Sequence, residues 1–248
     1  MDTTLLAAGL VAAGATWLVA RMAHWAWPGR EGLTDDVLTA GVIGLVAARV
    51  GFLAIEDPQS LTRVGNFLIF RSGLSFWTGV AAALGWTTWT YRSRLAVGVR
   101  DTALVAPALV CAWSVFQATC PIRGGCPGPA SEIGLRPSGY LSPVLPLGIL
   151  MGVAGFALAW GCGRMARRVP LGEQPGSARA RSRWIHLSSP VALVALGGVA
   201  AIGAIGSIWL PKIDSVSRQQ YVSIGVVVAC AATMLLLRLR AGQEAAPA

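Results

Sequence analysis

Apolar runs long enough to cross a bilayer recur along the whole chain, and they restrict its folds more than any other feature. Seven such stretches lie near residues 4–25, 37–55, 74–89, 102–118, 144–161, 190–210 and 222–237. A helix that spans a bilayer needs about 20 apolar residues, and the shorter runs are accommodated by tilt and local thinning. In lipid, every backbone polar group must be satisfied internally, which leaves only helices or a closed barrel. The runs are continuous in Ala, Val, Leu and Gly and do not alternate, so helices are expected. Charge agrees: 12% of the residues are charged, against about 25% in a soluble domain. The expectation is an all-α polytopic membrane protein with about seven transmembrane helices. Residues 1–240 would form a single membrane-embedded domain and residues 241–248 a disordered tail.

The net charge of +9 comes from arginines in short loops. That pattern sets membrane topology and does not call for nucleic acid. With seven spans, thirteen of the twenty Lys and Arg fall on one side, six on the other, and Arg49 lies within a span. The N-terminus is therefore expected outside and the C-terminus in the cytoplasm. Met1, Asp2 and Thr3 supply no basic region and no small-residue cleavage site follows, so the first span reads as a retained helix. The basic stretch 172–183 reads as a mobile cytoplasmic loop. Cys111, Cys162 and Cys230 lie in or at the ends of apolar runs and read as packed small hydrophobes. The sequence shows no internal repeat.

Three places hold residues suited to chemistry. Arg49 sits inside the second span, where a charge costs a few kcal/mol and needs a partner. It is either an anion contact, such as a lipid phosphate, or a cation snorkelling to the helix end, with Glu56 and Asp57 as alternative partners. Arg71 precedes a helix start at Ser72, Gly73, Leu74 and Ser75, and exposed N–H groups beside an Arg attract phosphate. The same residues also serve as an ordinary cap, and Trp77, Trp86 and Trp89 as interfacial anchors. The third place is the loop after the fourth span, with Cys120, Arg123, Cys126, Glu132, Arg136 and Tyr140. On the outer side, Cys120 and Cys126 form a structural disulfide, stay as two buried thiols, or act as a redox pair with an extracytoplasmic thioredoxin-like protein. Arg123 and Arg136 add positive charge suited to anionic headgroups. Neither His24 nor His186 serves an external site. No metal site, Ser–His–Asp arrangement or phosphate-cradling loop is visible, and no cofactor is implied.

Taken in order, these pieces resemble the bacterial prolipoprotein diacylglyceryl transferase family. The run Ala48-Arg-Val-Gly-Phe52 looks like the family's Gly/Ala-Arg-Leu-Gly-Tyr, and Arg71–Gly79 like its Gly-Gly-Met-Ser-Phe-His-Gly-Gly. Asp101 opens a span as a family Asp does. The stretch Gly124-Gly-Cys-Pro-Gly128 is similar to Gly-Cys-Cys-Tyr-Gly, and Arg136-Pro-Ser-Gly-Tyr140 to Pro-Ser-Gln-Leu-Tyr-Glu. Arg218–Ile224 is similar to Arg-Gly-Gln-Ile-Leu-Ser-Leu. The resemblance covers most of the chain after the first span. It implies transfer of diacylglyceryl from phosphatidylglycerol to a lipoprotein-precursor cysteine, in a bacterial plasma (inner) membrane. It makes Arg49, Arg71, Arg123, Arg136 and Tyr140 headgroup-binding candidates, and Ser75, Trp77 and Trp113 cleft-lining candidates.

The departures are specific. The motif His falls on Trp77 and the span-four Arg on Trp113. The motif Glu falls near Ser142, and a later Arg and Glu have no counterpart in 201–210. An indole neither exchanges protons at neutral pH nor holds a phosphate bidentately. Three readings follow: a divergent transferase, a non-catalytic relative that binds a lipid or lipoprotein, and a thiol-redox partner acting through Cys120 and Cys126.

Overall fold

The computed structural model describes residues 14, 17, 33–56, 58–59, 75–120, 128–136, 142–169, 177–210 and 214–244. Those residues are mostly helical: α1 (Leu33–Glu56), α2 (Phe76–Thr90), α3 (Leu95–Ala118), α4 (Leu147–Ala166), α5 (Ala178–Ile208) and α6 (Asp214–Glu244). One short strand, β1 (Ala130–Leu135), lies between α3 and α4. Among the described residues, five helical stretches are long and apolar enough to cross a membrane: α1, α3, α4, residues 181–208 of α5 and 218–240 of α6. The chain is a helical membrane protein. Of the expected first span only Gly14 and Trp17 are described, and both are helical.

Element boundaries differ from the sequence reading for physical reasons. Helix α5 begins at Ala178, far ahead of 190, and Pro190 lies inside it. Its extra turns are rich in Ala and Arg, both strong helix formers, so residues 178–183 of the stretch expected as a mobile loop are helical. Pro107 is likewise inside α3, which begins at Leu95 rather than near 102. Proline is tolerated within membrane helices because neighbouring groups re-satisfy the freed carbonyl. Helix α4 begins only at Leu147 because Val144 forms antiparallel bridges with Ala130 and Leu135. Helix α6 continues to Glu244, into the segment read as a tail. Helix α2 has 15 residues, or about 22 Å at 1.5 Å per residue, shorter than a typical hydrocarbon core of about 30 Å.

The chain forms two compact units, Met1–Gly98 and Val99–Ala248. In the first, α1 and α2 pack antiparallel along small residues. A Cβ on Gly79 would lie 2.7 Å from the Gly44 carbonyl oxygen and 2.9 Å from the Ala48 Cβ. One on Gly51 would lie 2.5 Å from the Thr78 methyl. Apolar side chains gain nothing by leaving lipid for protein, so such helices associate through close backbone approach and dispersion contacts. At the far end of the pair the Tyr91 hydroxyl donates to the Asp36 carboxylate.

The second unit uses the same device. Gly155 faces Ser114 and Trp113 of α3, and a Cβ on Gly152 would lie 2.9 Å from the Ser114 carbonyl oxygen. Leu158 and Met151 of α4 fill the space over Gly198 and Gly206 of α5, and Gly197 of α5 approaches Cys230 of α6. Consecutive helices α3 to α6 therefore run antiparallel, as successive membrane crossings require.

Candidate functional site

In the first unit the fold gathers Arg49, Ser75 and Trp77. Arg49 is 4% exposed in the middle of α1's apolar sequence, and the preceding Ala48 is also buried. The Ala48 carbonyl accepts a 3.0 Å hydrogen bond from the Ser75 N–H. Ser75 is the extended residue that starts α2, at φ −80° and ψ 95°. Its hydroxyl is 2.7 Å from that of Thr78. Ser75 therefore sits where an N-cap belongs, but its side chain does not cap the helix. Trp77 occupies the first turn, half-buried, with its ring 5.0 Å from that of Phe76 in an edge-on arrangement at 74°. The buried Arg49 is thus one residue along α1 from the carbonyl at which the start of α2 is docked. Arg71 lies outside the described residues.

The remaining candidates belong to the second unit. Trp113 is half-buried on α3, its ring edge against Gly155 of α4. Beyond the last turn of α3, Cys120 is buried and disulfide-bonded. Cys111, Cys162 and Cys230 are free, and Cys126, the fifth cysteine of the sequence, lies outside the described residues. Arg136 follows β1 and is exposed. Ser131 and Leu145 tie this loop together, donating to the Pro143 and Pro129 carbonyls at 3.0 Å each. Arg123 and Tyr140 lie outside the described residues. Among the described residues no cluster of three or more His, Cys, Asp or Glu is placed to hold a metal ion.

Sequence reasoning passed over one buried polar cluster. Arg100 and Asp101, 7% and 3% exposed, form an ion pair on α3. Nε and Nη2 of Arg100 both donate to Oδ1 of Asp101 at 3.1 Å. The guanidinium also lies 4.7 Å from the ring centroid of Trp184, a buried residue of α5. Arg100 looked like one more topology-setting cation at a span edge. The sequence held only a weak signal, Asp101 at the start of an apolar run, because neighbours i and i+1 do not ordinarily face each other on a helix.

Comparison of the chain with protein-family models and with curated proteins finds no match.

Proposed function

We propose that this chain is a prolipoprotein diacylglyceryl transferase-like membrane protein whose first unit holds the headgroup of phosphatidylglycerol at Arg49. The carrying observation is Arg49 itself: a guanidinium 4% exposed within an apolar helix, one residue from the backbone bond that docks the start of α2. A cation at membrane depth is normally retained for a partner of opposite charge, and a phosphodiester fits the planar fork of Arg in shape and charge. The motif resemblance on both sides of that junction supplies the reaction class. Seven spans, an outer N-terminus, a cytoplasmic C-terminus and a bacterial plasma membrane belong to the same proposal.

In the implied reaction the lipoprotein-precursor thiol loses its proton. Its sulfur then forms an S–C bond to the diacylglyceryl group, while the C–O bond to glycerol phosphate breaks. The thiol proton needs an acceptor, and the leaving phosphate needs cations. Arg49 serves the second need. Trp77, at the motif position of the family His, does not serve the first. That substitution favours a second reading, in which the chain binds phospholipid or a lipoprotein without transferring the acyl glycerol. The oxidised state of Cys120 suits an extracytoplasmic loop and leaves thiol exchange as a third role.

Complementation separates transfer from binding. Expressed in a bacterium depleted of its own diacylglyceryl transferase, the chain should restore growth and lipoprotein modification, and Arg49→Ala should abolish both. Failure to restore them at normal membrane levels would remove the transferase reading and leave the binding one.

A further inference from the structure

We propose that the end of the second unit where α4 finishes and α5 begins is a docking ledge for anionic phospholipid headgroups, separate from Arg49 and independent of the reading given to it. The exposed face of α4 carries Ile149, Val153, Phe156 and Trp160 at steps of four, three and four residues, with Trp160 64% exposed. That apolar stripe suits lipid chains, and its buried counterpart (Met151, Gly155, Ala159, Cys162) faces the protein. One turn beyond Trp160 the same face turns cationic. The Arg164 guanidinium lies 4.1 Å over the Trp160 ring, and Arg167 and Arg168 follow, both exposed. A tryptophan closing an apolar stripe marks the headgroup level of a bilayer, so these arginines lie where phosphates are.

Helix α5 adds the second half. Antiparallel packing on α4 puts its start at the same end of the unit. Arg181 and Arg183 are exposed there, and the first turn of α5 holds no acidic residue. Arg164 stands at a helix C-terminus, where a cation is favoured by the helix dipole. Arg181 and Arg183 stand at an N-terminus, where cations and the unsatisfied N–H groups repel one another. An anion relieves the second of these, the repulsion at the start of α5. Between 160 and 188 the sequence holds six arginines and a single carboxylate, Glu173, so the charge must be met from outside this segment. Anionic lipid is the occupant because the cationic patch continues a lipid-facing stripe. A soluble polyanion would have no use for Trp160 and Phe156.

The test uses the purified full chain in mixed micelles holding equal phosphatidylglycerol and phosphatidylcholine, with co-eluting lipid counted by mass spectrometry. The protein should enrich phosphatidylglycerol, each surface arginine contributing about fivefold to local partitioning. R164Q/R167Q/R168Q should lose most of the excess and R181Q/R183Q a further share, whereas Arg49→Gln should leave the ledge's share in place. The ledge's share of the excess should be lost in molar salt, where the screening length falls to about 3 Å. Enrichment that both glutamine sets, made in an Arg49→Gln background and eluting like that background, leave undiminished would overturn the proposal. So would polyuridylate that displaces the lipid from the parent protein through these same arginines, since it would assign the ledge to nucleic acid.

Discussion

At the scale of single residues, a tight backbone constraint on the first unit is the contact of Gly44 and Ala48 with Gly79. The backbones of α1 and α2 meet there because none of the three carries more than a methyl group. Arg49 follows Ala48 in α1 and is 4% exposed. A buried Arg in an apolar helix costs roughly 2.5–3.5 kcal/mol, and the α1–α2 pair must offset this through packing and through whatever the guanidinium binds. Gly79→Val places methyls where a Cβ alone already meets Gly44 and Ala48. It should therefore destabilise the fold by about 1–3 kcal/mol, read as a lowered midpoint of thermal unfolding in detergent. Gly85→Val is the control, because a Cβ there meets nothing within 4 Å, and its midpoint should stay near that of the parent. Equal behaviour of the two variants would contradict the close α1–α2 interface.

At the scale of elements, α3 and the loop after it hold the second set of candidate residues. Pro107 and Pro190 are absorbed within long helices, so Pro190 does not mark the start of its span. Residues 128–136 are arranged differently, by β1 and its bridges to Val144, and Arg136 follows β1, exposed. Cys120 is oxidised whereas Cys111, Cys162 and Cys230 are free. When the chain is unfolded without reductant, maleimide should reach these three free thiols, and peptide mapping should find Cys120 modified only after reduction. Modification of Cys120 before reduction would contradict the disulfide and remove the support it gives to an extracytoplasmic loop.

At the scale of the whole molecule, the membrane-helical character was legible because continuous apolar runs have few alternatives. Arg49 was legible as a charge within a span that either meets an anion or snorkels to the helix end, and its burial is seen only in the structure. Which apolar side chains form the interior was not legible. Leu53 is 1% exposed and Leu45 is 49% exposed, yet both read alike, because lipid and protein interior are equally apolar and the period that betrays a soluble core vanishes. The α1–α2 contact was written in the small residues Gly44, Ala48, Gly51, Gly79 and Ala83, a signal of packing rather than hydropathy. The early starts of α3 and α5 were hidden because helices outrun the bilayer, and the strand β1 because six residues of mixed polarity carry no period of their own. The central claim, that Arg49 holds a phospholipid headgroup, is tested most directly by phosphatidylglycerol binding measured by native mass spectrometry in the R164Q/R167Q/R168Q background, where the ledge contributes least. The account predicts one retained lipid, lost in Arg49→Gln and kept at least in part in Arg49→Lys. Equal retention by the Gln variant and its parent background would contradict it.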